Sequence, residues 1–381
     1  MTFRRHTIAT GAALAILAVR APRPTAAQAA QAALDSSFAA MVARTSEAGG
    51  YFDSDNIITN EGSYLQVASQ LARTHTHGGV YVGVGPDQNL SYVALVKPVV
   101  AFMIDIRRDN LLEHLLFKSL FALSRNRLEY LCLLLGKPVP PDVDTWTNQP
   151  VTHLLAYLAS VASDSQVVSR TARASNDRIA RMQIPLDRHD HEVLDQYRRQ
   201  FISEGLDTRY SSLGRNNRAD YPSLAQLIVA TDREGHEASY LADEKAFQYV
   251  RSLELADRII PVVGNIAGDK AMKAIASYAT ERRLKISTLY VSNVEQYLMG
   301  RDGGFDAYAN NVKSLPHDST SVIIRSYFGG RFAASRHPLY MPAPGNISTS
   351  LVETTDSFIR AYSAGELTSY GALVSSRYVN P

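Results

Sequence analysis

Val80-Tyr81-Val82-Gly83-Val84-Gly85-Pro86-Asp87-Gln88-Asn89 is followed by Ala101-Phe102-Met103-Ile104-Asp105-Ile106-Arg107-Arg108-Asp109-Asn110. The first stretch is a β-branched run that ends in two glycines, where backbone can approach a ligand closely. The second is another apolar run, with an acid at its tip. Together they predict strand, glycine turn, helix, strand and acidic tip, the front half of a nucleotide-type site. Asp105 lies 22 positions after Gly83, where a carboxylate can accept hydrogen bonds from two ribose hydroxyls.

Outward from that unit, the pattern predicts strands alternating with helices. A helix at 87–97 joins strands 80–84 and 99–105. A long helical stretch at 109–135 is interrupted near Ser124 to Arg127, and Gly136-Lys137-Pro138 stops it. Residues 138–235 read as a helical insertion after the second strand, with helices at 150–163, 164–181 and 189–203. Alternation then resumes: helix 237–253, strand 258–263, helix 269–283, strand 286–291, a polar loop, and strand 320–325. Upstream, 30–47 reads as an Ala-rich helix or linker, and Ser63 to Arg73 as a helix. The expectation is an α/β, Rossmann-like fold with a mostly parallel sheet flanked by helices. Ligands of such sheets bind beyond the C-terminal strand ends. Gly83 to Asn89, Asp105 to Asp109, Gly264 to Asp269, Ser292 to Tyr297 and Arg325 to Tyr327 all fall there.

The 381 residues are 45% hydrophobic and 20% charged, ordinary for a globular protein with a large core. The formal charge of +2 comes from Arg4, Arg5, Arg20 and Arg23 in residues 1–29; the rest holds 35 basic and 37 acidic residues. A near-neutral body gives no electrostatic case for nucleic acid. Cys132 is the only cysteine, so no intrachain disulfide forms, and its apolar neighbours predict burial.

Residues 1–29 read as a signal peptide. Arg4-Arg5 precede the uncharged run Thr7 to Val19, and small residues follow at Ala27-Gln28-Ala29. Thr2-Phe3-Arg4-Arg5-His6-Thr7-Ile8 resembles the twin-arginine signal, although the lysine and one hydrophobic position of that pattern are missing. The run is short for a membrane span, and no cysteine follows it to take a lipid. The expectation is bacterial export to the periplasm or beyond, without a stable membrane anchor. Residues 30–381 then form one α/β domain.

The turn at Gly83 is a poor phosphate cradle. G-x-G-x-x-G fails at Gln88, Pro86 has no N–H, and Asp87 adds negative charge where phosphates would sit. The same features suit a ligand with a cationic centre, such as the sulfonium of S-adenosylmethionine. Arg107 and Arg108 offer an alternative, a grip on the 2′-phosphate of NADP. Gly264-Asn265-Ile266-Ala267-Gly268-Asp269-Lys270 lacks the ending of a P-loop.

Thr59-Asn60-Glu61-Gly62-Ser63-Tyr64-Leu65, Gly78 to Asn89 and Asp105 to Asn110 resemble a poorly characterised bacterial methyltransferase-like family with the class I S-adenosylmethionine-dependent fold. The resemblance covers roughly 50–135 and 235–330. It implies a seven-stranded, mostly parallel sheet, with Gly83 and Gly85 along the methionine part and Asp105 on the ribose. The chain departs from the family at the acid that opens the first motif, replaced by Val80 or Tyr81, and at the third glycine. Ser292-Asn293-Val294-Glu295 lacks the Asn/Asp-Pro-Pro-aromatic signature, so no methyl acceptor is named.

The candidate ligand-binding residues are Gly83, Gly85, Pro86, Asp87, Gln88, Asn89, Asp105, Ile106 and Arg107, with S-adenosylmethionine as the cofactor. Asn293, Glu295 and Tyr297 are the candidates beside a methyl acceptor, or else simply begin a helix. Asp53, Asp55 and Glu61 read either as acid/base groups or as caps of the helix near Ser63. His75-Thr76-His77 and His189-Asp190-His191-Glu192 have no recognised metal spacing, so no metal is expected. No Gly-x-Ser-x-Gly elbow occurs. Three functions remain open: a methyltransferase, a non-catalytic exported binding protein with a degenerate pocket, and an NADP-dependent oxidoreductase.

Overall fold

Among the described residues six strands, one fewer than the resemblance implies, form one sheet in the order β3 (Ile259–Val263), β2 (Val100–Asp105), β1 (Val80–Val84), β4 (Ile286–Tyr290), β5 (Val322–Tyr327) and β6 (Thr349–Thr354). The structure is a computed structural model that describes residues 37–212, 221–328 and 348–374. The chain divides into Met1–Ser37 and Phe38–Pro381. The expected signal peptide, 1–29, lies outside the described residues, as does most of the Ala-rich segment. No helix among the described residues is long and apolar enough to cross a membrane.

The described chain opens with α1 (Phe38–Thr45), a 3-10 turn at Tyr64–Val67, and α2 (Ala68–Arg73). Next come β1 (Val80–Val84), α3 (Gln88–Val96) and β2 (Val100–Asp105). Lys97 ends α3 in the left-handed region at φ 51, just before Pro98, which cannot continue a helix. The two strands pair in parallel, Val80 opposite Val100 and Val84 opposite Ile104. All six β2 residues are buried, as the continuous apolar run predicts for a strand covered on both faces.

Helices fill the span between β2 and β3: α4 (Arg108–Leu123), α5 (Arg127–Leu134), α6 (Val151–Ser160), α7 (Ser165–Arg181), α8 (Arg188–Glu204), α9 (Leu224–Ile228) and α10 (Glu244–Leu255). The expected interruption falls at Ser124, whose backbone is extended. Asn126 restarts the helix by accepting from the Glu129 N–H at 2.9 Å. Asp187 and Asp190 form a reciprocal capping box on α8. The helix expected at 237–253 begins only at Glu244. Asp243 caps it, and Thr231 and Glu237 are joined by an antiparallel bridge instead.

The remainder runs β3 (Ile259–Val263), α11 (Ala271–Glu281), β4 (Ile286–Tyr290), α12 (Val294–Met299), α13 (Gly304–Ser314), β5 (Val322–Tyr327), β6 (Thr349–Thr354), α14 (Thr355–Ser363) and α15 (Tyr370–Leu373). β1 to β5 are parallel, and β6 runs antiparallel to β5, Val322 opposite Thr354. The segment read as a polar loop before β5 contains α13. Its Phe305, Tyr308, Ala309 and Val312 are buried, a helical spacing in a polar sequence. The strand order reverses between β1 and β4, and this opens a crevice at the C-terminal strand ends.

Candidate functional site

A cavity of about 290 Å³ opens where those strands end. Val84 and Gly85 after β1, Ile104 to Ile106 after β2, Gly264 to Ile266 after β3 and Ser292 to Val294 after β4 all reach it. Thr59 and Asn60 close one side, and Tyr210 and Tyr221 come from the helical region. The walls are aromatic and amide-rich. Phe52 meets Tyr297 edge-on at 5.4 Å, and Tyr210 meets Tyr221 at 4.9 Å. Among the described lining residues only Asp105 and Arg301 are charged.

The turn after β1 is held from within. Asn89 Nδ2 donates to the carbonyls of Val84 at 3.0 Å, Gly85 at 3.1 Å and Pro86 at 2.8 Å, while Asn89 Oδ1 accepts from the Tyr81 hydroxyl at 2.7 Å. Gly83 makes room for this arrangement: a Cβ there would lie 1.9 Å from Asn89 Oδ1. Gly85 has φ +90, a backbone state natural only to glycine, and it faces the cavity with Gln88. Gly83, Pro86 and Asn89, expected to touch a ligand, build the turn and do not line the cavity.

Asp87 also departs from expectation. Its Oδ2 accepts from the Tyr240 hydroxyl at 3.5 Å, and burial pushes its carboxyl up to about 7. It is not in the cavity wall, so its charge does not guard the ligand as the sequence implied. Behind the turn, His114 Nε2 lies 3.1 Å from the Gly85 carbonyl oxygen, and burial pulls this imidazole down to about 4.

Asp105 is 6% exposed and faces the cavity. Its Oδ1 accepts from the Arg107 N–H at 2.8 Å and its Oδ2 from Arg107 Nη2 at 3.1 Å. A carboxylate offers about four acceptor sites, so room remains for hydroxyl donors. Ile106 lines the cavity beside it. Arg107 does not: its guanidinium also donates to the carbonyls of Ser54 and Asp55 at 3.2 and 2.9 Å. Arg108 binds Asp190 through Nε and Nη2, both at 2.7 Å. Neither arginine is free for a 2′-phosphate.

Asn293 and Tyr297 reach the cavity. Glu295 points away into the core. Its oxygens accept from Arg325 Nε at 2.6 Å, Arg325 Nη2 at 3.1 Å and the Tyr308 hydroxyl at 2.8 Å. Helical geometry explains the split, since Asn293 and Tyr297, four positions apart, share a face from which Glu295, two positions from each, is turned away. Asp55 does not act as a free acid either. It accepts from the Ser211 N–H at 2.9 Å and the Ser211 hydroxyl at 2.5 Å.

Glu61, read as an acid/base group or a cap, is fully buried under the cavity floor. Its Oε2 accepts from the Tyr290 hydroxyl at 2.7 Å and from Ser326 Oγ, and its Oε1 from Ser292 Oγ. The sequence placed Ser326 among the strand-end residues and Tyr290 in a strand but gave neither a role, because only the β4–β5 pairing brings them together. Among the described residues no cluster of three or more His, Cys, Asp or Glu is arranged to hold a metal.

The family described as a domain of unknown function (DUF7790) matches residues 56–137 and 154–357. The chain belongs to this family. The match includes the strand ends that line the cavity and continues through 154–235, so most of the helical region is part of the family's own pattern. No curated protein matches the chain.

Proposed function

We propose that the cavity binds S-adenosylmethionine or a related adenosyl ligand on a Rossmann-like domain, and that methyl transfer is the activity such a ligand would serve. The observation that carries this reading is Asp105. It is a cavity-facing carboxylate at the end of β2, beside the β1/β4 reversal, where a ribose is held in this class of sheet. The walls fit the rest of such a ligand. Aromatic rings suit a purine, and the amides of Asn56, Asn60, Gln88 and Asn265 offer donors and acceptors without net charge. Arg301, the one cation among the described lining residues, leaves a diphosphate poorly compensated. With Arg107 and Arg108 both engaged, an NADP-dependent oxidoreductase has less support.

Calorimetry of the full chain with S-adenosylmethionine, S-adenosylhomocysteine and NADPH tests the reading. Binding of the first two, with NADPH much weaker, is the expected result; no binding of either adenosyl ligand overturns it. A non-catalytic binding protein is the second reading, favoured by the removal of Glu295 from the residues beside the ligand. The N-terminal pattern supports export of the folded protein to the periplasm by the twin-arginine route, which would carry a bound ligand out. Cell fractionation checks this, and full-length protein confined to the cytoplasm would refute it.

A further inference from the structure

Among the described residues, Glu61 is a carboxylate without a cationic partner. Its three donors, Tyr290 and Ser292 from the β4 end and Ser326 from β5, are all hydroxyls. Gln88 Nε2 backs Tyr290 at 3.3 Å, and the electrostatically coupled neighbours Tyr81 and Tyr92 are buried phenols. Among the described residues, burial and these three hydroxyls, and no Lys, Arg or His, set its electrostatics. Hydroxyl donors satisfy the lone pairs of a carboxylate, but they leave its net charge uncompensated in a region from which water is excluded. The cavity opens towards that charge. Ser292 donates to Glu61 and also forms part of the cavity wall. It stands at φ 53, a left-handed backbone uncommon in non-glycine residues.

We propose that Glu61, acting through the Ser292 hydroxyl, selects for a positively charged centre in the cavity, so that the sulfonium form of an adenosyl ligand is preferred over the thioether form. The inference rests on the adenosyl reading above and names the charge that the reading requires. It also replaces the role that the sequence gave to Asp87, whose side chain turns to Tyr240. Ser292 touches the ligand; Glu61 is a positioning residue that acts through it. Burial raises the Glu61 carboxyl from its ordinary range, and a cation nearby favours the ionised form. Sulfonium binding is therefore tied to proton loss from Glu61 and strengthens as pH rises, whereas thioether binding is not.

The test is the ratio of S-adenosylmethionine to S-adenosylhomocysteine affinity, measured by calorimetry on the full chain. The two ligands share their amino, carboxyl and ribose groups, so their common titrations cancel in the ratio. An opposite charge nearby moves a carboxyl's titration by about one to three pH units. By linkage, Glu61→Gln is expected to lower the ratio about tenfold or more, with thioether affinity nearly unchanged. Ser292→Ala is expected to lower the ratio in the same direction. Wild-type protein titrated across pH is expected to show the ratio rising with pH, which needs no variant to fold. If both ligands bind and the ratio stays constant in Ser292→Ala and across pH, the inference is overturned while the adenosyl reading stands. If neither ligand binds, both fall.

Discussion

Arg325→Met separates the framework from the site. Arg325 is fully buried and serves two carboxylates at once. It holds Glu295 of α12 through Nε and Nη2, and Glu353 of β6 through Nη1 at 2.7 Å. Breaking one buried pair by removing a partner costs about 3–5 kcal/mol, because the remaining charge stays buried and uncompensated. Here two charges are stranded, so that range is a lower bound for the variant. Glu295→Gln is milder. Arg325 keeps Glu353, and an amide oxygen still accepts one hydrogen bond, so the loss is about 1–3 kcal/mol. The double variant is expected to fall short of additivity by about 1 kcal/mol or more, since both changes break the same contact. Urea unfolding with matched slopes reads all three values. Ligand affinity of folded Glu295→Gln, measured alongside, is expected to stay within about threefold of wild type, which is under 1 kcal/mol. Arg325→Met unfolding within 1 kcal/mol of wild type would refute the framework role. Loss of ligand binding in a fully stable Glu295→Gln would return Glu295 to the residues beside the substrate.

Gly83→Ala would place a methyl 1.9 Å from Asn89 Oδ1 and 2.6 Å from the Tyr81 hydroxyl; overpacking of this kind costs about 1–3 kcal/mol, and an unchanged melting temperature would contradict it. Asp105→Asn is expected to weaken adenosine binding about tenfold or more, from losing charge-assisted hydrogen bonds. The 2′,3′-dideoxy analogue should be nearly insensitive to that change, and equal losses for both would remove the ribose assignment. Asp87 titrates at about 7 in the fold, above its unfolded value near 4. Its contribution to stability is thus complete below about pH 4 and is lost as pH rises towards 7. Asp87→Asn should gain on wild type across that window and run parallel above it in pH-resolved unfolding, and a difference independent of pH would exclude the assignment.

The strands that build the crevice were legible because parallel strands covered on both faces leave a plain mark, uninterrupted apolar runs such as Val100 to Ile104. The interruption before α5 was legible because Asn126 is a capping residue. β6 was not, because Thr349-Ser350-Leu351-Val352-Glu353-Thr354 is mostly polar and is buried only by its neighbours. α13 did leave a signal, in the spacing of Phe305, Tyr308, Ala309 and Val312, but a diglycine start masked it. For the site, the sequence located the strand ends and Asp105, but it did not reveal where the side chains point. Asp87, Asn89 and Glu295 sit within a residue or two of the cavity wall and turn into the core. Their directions depend on Tyr240, Tyr81 and Arg325, which are distant in sequence.

Three carboxylates converge on these strand ends, and their partners assign them different work. Glu295 is gripped by a buried guanidinium on two edges, so its charge is spent within the fold and a ligand feels little of it. Asp105 shares its charge with Arg107 yet keeps a face on the cavity, an arrangement suited to accepting neutral hydroxyl donors at fixed positions. Among the described residues Glu61 has only hydroxyl partners on its carboxylate, and one of them stands in the cavity wall. Its field is the least compensated of the three, although it is as fully buried as Glu295. A residue's reach into a site therefore follows the charge left over after its hydrogen bonds, and not its exposure. The physical order of influence on a cation in the cavity is Glu61, then Asp105, then Glu295. Neutralising each in turn should lower the sulfonium-to-thioether ratio in that order, and a larger effect at Glu295 than at Glu61 would reverse the argument.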